Sequence, residues 1–79
     1  MKQKETRRYG TPIRVYSKKE LASMYFPGVS EATATRHLMR WIRKREDLYR
    51  ELQELGYKER DHLFTGKQVE CIFYYLSEP

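Results

Sequence analysis

Apolar residues fall at helical spacing in four stretches of this chain, and each stretch carries its own start and stop signals. The first holds Leu21, Ala22 and Tyr25. Ser17 stands three residues before Glu20, the spacing of a capping box, so the pattern predicts a helix over about Lys18–Tyr25. Pro27 lacks an N–H and Gly28 tolerates positive φ, and together they stop it. The second stretch holds Ala34, Leu38, Trp41 and Ile42 on one side at about 100° per residue. Ser30 caps it, and Glu31 lies in the first turn, where the helix dipole favours negative charge.

After Lys44 the pattern is ambiguous. Leu38, Trp41, Arg45, Leu48, Leu52 and Leu55 would share one seam if a single helix ran from Glu31 to Leu55. Arg45 would then sit in that seam, and Glu46-Asp47 offers a fresh cap. A break near Arg45–Asp47 is therefore expected, with a third helix over Leu48–Leu55 ended by Gly56 in the left-handed conformation. The fourth stretch places Val69, Ile72, Phe73 and Leu76 on one face, and Thr65 stands three residues before Gln68. A helix over about Gly66–Leu76 follows. Two short β-prone runs, Ile13–Tyr16 and His62–Phe64, directly precede capped helices and are expected to pair. A weak internal echo supports this: Val15-Tyr16-Ser17-x-Lys19-Glu20-Leu21 lines up with Leu63-Phe64-Thr65-x-Lys67-Gln68-Val69. The expected fold is α+β and mostly helical, with four helices, a helix-turn-helix and a small two-stranded β-ribbon in a winged-helix-like arrangement.

Seventy-nine residues make one domain, read as residues 13–79 after a flexible basic tail over 1–12. A chain this short buries only about 60% of its unfolded surface. No apolar run is long enough for a transmembrane helix or a signal-peptide core, so the expected location is cytoplasmic, with no membrane role. Cys71 is the only cysteine, which excludes an internal disulfide. The net charge of +5 turns attention to polyanionic partners.

That charge is not spread evenly. Opposite the apolar side of the second helix lie Thr33, Arg36, Arg40, Arg43 and Lys44, with His37 at the edge. A solvated helix face usually mixes signs to gain i,i+4 pairs. A one-signed face predicts an anionic partner, here double-stranded DNA, with Thr33, Arg36, His37, Arg40, Arg43 and Lys44 as DNA-binding residues. Trp41 is expected in the core. The fourth helix is apolar nearly all round, so Cys71, Tyr74 and Tyr75 form a candidate self-association surface, and a homodimer is expected through it.

Catalytic constellations are missing from the sequence. Two histidines and one cysteine give no metal-ligand spacing, and no Gly-rich phosphate loop is present. Ser30 is more simply a cap than a nucleophile. The expectation is a protein with no enzymatic activity, no cofactor, no metal and no small-molecule substrate. A protein-interaction module using helix 66–76, with no nucleic-acid role, is the alternative to DNA binding.

Two resemblances bear on this. Gly28-Val29-Ser30-x-x-Thr33-x-x-Arg36 resembles the turn and recognition-helix start of bacterial helix-turn-helix repressors. Arg40-Trp41-Ile42-Arg43 resembles the end of the recognition helix in excisionase-type and MerR-type winged helices. Five residues, Ser23 to Pro27, separate Ala22 from Gly28, against three in those families. From Ile13 onward, Tyr-Ser-Lys-Lys-Glu-Leu-Ala, Tyr-Phe-Pro-Gly, Arg-Trp-Ile, Leu-x-x-Leu-Gly-Tyr and Phe-Thr-x-Lys-Gln-Val are similar to a family of short Bacteroides-type proteins, the domain of unknown function forty-two forty-eight. That resemblance implies a small bacterial protein from a mobile-element context, with no assigned activity. A small transcriptional regulator or recombination-associated factor is the function these readings predict.

Overall fold

The computed structural model describes residues 9–79. In chain order it contains β1 (Tyr16–Ser17), α1 (Lys18–Tyr25), α2 (Glu31–Lys44), α3 (Glu46–Glu54), β2 (Leu63–Phe64) and α4 (Gly66–Leu76). The fold is α+β and mostly helical, with four helices and one two-stranded antiparallel sheet among the described residues.

Side-chain hydroxyls start three of the helices. Ser17 Oγ accepts from Glu20 N at 3.0 Å, and Ser30 Oγ accepts from Thr33 N at 3.2 Å. Thr65 and Gln68 form a reciprocal capping box: Thr65 Oγ1 accepts from Gln68 N, and Gln68 Oε1 accepts from Thr65 N. The Gln68 amide also donates to Leu55 O at 3.1 Å, tying the start of α4 to the end of α3. This buried side chain is thus hydrogen-bonded at both ends, as burial of a polar group requires.

α2 and α3 are separate helices. The break is at Arg45, which adopts extended backbone (φ −94°, ψ 93°) and gives α3 no side-chain cap. The cap expected from Glu46-Asp47 is therefore not formed. Both residues instead lie in the first turn of α3, which begins two residues earlier than the pattern indicated. The break keeps Arg45 out of the seam. Its guanidinium lies over the Tyr75 ring at 5.5 Å and donates to Tyr75 O at 3.2 Å, one of the orphan carbonyls closing α4. α3 ends in a Schellman motif. Tyr57 N donates to Leu52 O at 2.9 Å and Gly56 N to Gln53 O at 3.0 Å, with Gly56 at φ 95°. Gly28, by contrast, does not use positive φ, and Pro27 alone accounts for the end of α1.

The ribbon pairs Tyr16 with Phe64 and Ser17 with Leu63. Ile13, Arg14 and Val15, expected in the first strand, are not part of it. The register explains why: residues before Tyr16 would lie opposite Thr65, Gly66 and Lys67, which already cap and begin α4. Lys18 N still donates to His62 O at 2.9 Å, so the pairing ends as α1 starts.

The core is built from one face of each helix plus the ribbon: Tyr16, Leu21, Leu38, Ile42, Leu48, Leu52, Phe64, Val69, Ile72 and Phe73 are fully buried. Trp41, expected in the core, is 45% exposed, and Met39 is buried instead. Val29 in the turn before α2 is exposed as well. Met39 and Trp41 flank Leu38 and Ile42 on opposite sides. The side of α2 that α3 and its following loop cover is the Met39 side, where Tyr57 OH reaches Met39 Sδ at 3.9 Å.

Tyr9–Pro12, read as part of the tail, lie against the domain; residues 1–8 of that tail are outside the described residues. The Tyr9 ring meets Phe73 edge-on at 5.5 Å, and Tyr16 OH donates to Pro12 O. The Glu78 carboxylate accepts from Gly10 N at 3.1 Å and Thr11 N at 2.7 Å, which holds its pKa below the usual carboxylate range. Tyr9 and α3 cover part of the second side of α4. Cys71, expected on an exposed surface, is only 7% exposed as a result. Burial, helped by nearby Glu51, pushes its thiol up to about 12, so it is a neutral, inert group at physiological pH.

Candidate nucleic-acid interface

The outward face of α2 begins at its cap. Thr33 is half-buried, and its Oγ1 receives the Ser30 hydroxyl at 3.0 Å. Arg36, Arg40 and Lys44 follow at successive i,i+4 positions, ~6 Å apart along the axis at about 1.5 Å per residue. All three are exposed, and none forms an ion pair or hydrogen bond with another described residue. They make a straight row of unneutralised charge.

Arg43 does not belong to that row. Its Nε donates to Glu59 Oε2 at 3.2 Å and its Nη2 to Glu59 Oε1 at 3.1 Å, a two-pronged charge-assisted pair. Tyr49 OH donates to the same carboxylate at 2.5 Å, and Lys18 Nζ donates to Glu59 O at 3.0 Å. The Arg43 bonds first, then the Tyr49 bond, pull the Glu59 carboxyl down to about 2. Glu59 lies on the loop between α3 and β2. That loop is held by Tyr57, whose ring stacks on Phe64 at 5.5 Å beneath Lys18 Nζ. The face of α2 is thus not one-signed along its whole width. Sequence inspection missed Glu59 because it is sixteen residues from Arg43 and no local periodicity links them.

The other edge of the row is aromatic. His37 is half-buried against Phe26, ring centroids 5.3 Å apart. Trp41 meets Phe26 at 4.8 Å and Tyr25 at 6.4 Å, both edge-to-face. Tyr25 OH in turn donates to Ser77 O, anchoring this cluster to the end of α4. One turn of helix places Lys44 and His37 on the same side as Trp41. So of the six residues singled out from sequence, Arg36, Arg40 and Lys44 share an open face. His37 and Thr33 border it in fixed positions, and Arg43 is committed to Glu59. Trp41 joins the face unannounced by sequence.

The proposed association surface on α4 divides similarly. Tyr74 is 72% exposed, Tyr75 is half-buried with its OH donating to Glu51 Oε1 at 2.8 Å, and Cys71 is buried. Together with Tyr9, Leu55, Lys67 and Glu70 they line a groove of about 520 Å³. No helix among the described residues is long and apolar enough to cross a membrane.

These features define a small, mostly helical α+β domain with a row of unpaired cations on one helix. Residues 12–79 match the model of the family described as Domain of unknown function (DUF4248), and the chain belongs to that family. No curated protein and no solved structure matches the chain.

Proposed function

We propose that this protein binds double-stranded DNA through α2, acting as a small transcriptional regulator or recombination-associated factor. In this reading α1 and α2 form a helix-turn-helix. Arg36 and Arg40 reach phosphates and base edges, and Lys44 meets a phosphate.

One observation carries the reading: the uncompensated Arg36–Arg40–Lys44 row. Cations in the last turn of a helix are ordinarily favourable to its dipole, which would account for Lys44. Arg36 and Arg40 are mid-helix and gain nothing of that kind. Instead, each i,i+4 pair of like charges costs the helix about 0.2–0.5 kcal/mol. Two such pairs stand in succession with no acid beside them, and an external polyanion offsets that cost.

Titration of a duplex at several salt concentrations tests the reading. Three phosphate contacts imply a log–log slope of about −2.7, or about a 40-fold loss of affinity from about 50 to about 200 mM salt. Absence of salt-dependent duplex binding would remove it. The adaptor reading then comes first, favoured by exposed Tyr74 at the α4 groove. Sedimentation of the wild type and Tyr74→Glu, with a search for a stoichiometric partner, examines that surface.

A further inference from the structure

We infer that Trp41 is a stacking platform for an unpaired nucleobase, so that DNA with a single-stranded or locally opened segment is the preferred ligand of the α2 face. This rests on the DNA-binding reading above.

A tryptophan in so small a domain ordinarily supplies core area. Trp41 does not, because Met39 occupies the core position and the indole stays 45% exposed. Yet the ring is not a loose surface group. Phe26 and Tyr25 hold it from two directions, and Tyr25 is itself pinned through its OH to Ser77 O. Neither ring lies flat over the indole, since the interplanar angles are 62° and 78°. Held in place and still partly open to solvent, the indole can receive a base without first losing much side-chain freedom. Base–aromatic stacking strengthens binding about 5-fold or more per base and tolerates any sequence.

Charge decides what occupies the platform. The cations Arg40 and Lys44 flank Trp41 on the row side, and beyond Glu31 α2 carries no acid. The opposite edge of the row is closed by Glu59, a carboxylate held ionised by Arg43 and Tyr49. Arg43 is already committed to Glu59, so that edge offers a polyanionic strand no free cation, and a strand lying along Arg36, Arg40 and Lys44 can turn its bases toward Trp41 on the other side. In an intact duplex the bases are already stacked on one another. An unpaired strand has bases free to stack on the indole.

Trp41 is the sole tryptophan, so intrinsic fluorescence reports this position alone. The experiment titrates the wild type, Trp41→Phe, Trp41→Leu and Arg36→Ala/Arg40→Ala with a single strand, its duplex, and the duplex carrying a central unpaired bubble. Trp41→Leu retains apolar contact with Phe26 and Tyr25 but removes the π face, and thermal melts accompany each variant. We expect strong quenching of Trp41 by the single strand and the bubble, and tighter binding of both than of the duplex. Trp41→Leu should weaken those two about 5-fold or more while changing duplex affinity little, and Trp41→Phe should retain most of the binding. Arginine-dependent binding with no quenching, and with Trp41→Leu equal to wild type on the single strand, overturns the platform and leaves the DNA reading standing. No binding of any of the three DNAs, or binding indifferent to the arginines, overturns both.

Discussion

Arg40 and Arg43 stand three residues apart on the same helix, with similar solvent access and opposite commitments. Arg43 is matched by Glu59, Tyr49 completes the cluster, and Lys18 ties down the loop that carries it. Arg40 has Arg36 one turn before it and Lys44 one turn after, and no acid. The difference separates two uses of arginine. One edge of α2 spends its cation inside the fold, where an exposed pair contributes only about 0–1 kcal/mol. The other keeps its cations open. Residue type and helical spacing are the same on both edges, so only the tertiary partner distinguishes a structural arginine from one that is available.

The strongest way to break this comparison is to remove the open edge. Arg36→Ala/Arg40→Ala should flatten the salt slope of duplex binding by about 1.8 units and lower affinity more than tenfold at about 50 mM salt. Its melting temperature should not fall, because the substitution also removes two like-charge pairs. A lower melting temperature with unchanged DNA affinity would make the row structural after all.

A smaller effect comes from the loop that delivers Glu59. Gly56→Ala places a side chain at φ 95° and should destabilise the domain by about 1–2 kcal/mol, read from denaturant unfolding. Space around Gly56 is open, so strain and not a clash is the cause. Gly28→Ala is the control: its site is open and its φ is not positive, so it should be neutral or slightly stabilising.

Glu59→Gln is the subtlest and the most pointed. It keeps the shape, removes the charge and frees Arg43. Duplex binding should strengthen and its salt slope should steepen by up to about 0.9, as Arg43 becomes a fourth available cation. The same variant tests the acid limb. The Glu59 pKa is depressed in the fold, to about 2, so the ionised pair stabilises the protein above the unfolded-state pKa of 4.5. That contribution is lost as pH falls from there through about 2. Acid unfolding of Glu59→Gln should lack this component, whereas an unchanged acid limb would show that Arg43–Glu59 contributes nothing to folding.

Much of the framework is legible in the sequence because it is written locally. Ser17, Ser30 and Thr65 each cap the helix they precede, Gly56 ends α3 in the left-handed region, and α1, α2 and α4 have the bounds their patterns indicate. What is not legible is set by distant approach. On the α2 helix Met39 and Trp41 are equivalent flanks until Tyr57 arrives on one of them. Cys71 reads as an outward residue until α3 and Tyr9 close over that side of α4. Glu59 cannot be assigned to Arg43 without the fold. The ribbon is found but shifted, because where its rungs stop depends on the register, and the register belongs to both strands at once.

Tyr16 and Phe64 occupy matching places in the two echoing strand-cap-helix units, and in the ribbon they face each other. In an antiparallel pair this is the register in which a half-turn exchanges one unit with the other. Each unit therefore supplies the edge its counterpart lacks, and each lays its first helix-facing side chain into the shared core. The consequence is indivisibility. A fragment stopping before Leu63 keeps three helices but leaves Tyr16 without Phe64, and one starting after Ser17 leaves Phe64 without Tyr16. Completing the ribbon therefore takes both units, although forty-five residues separate the end of one strand from the start of the other.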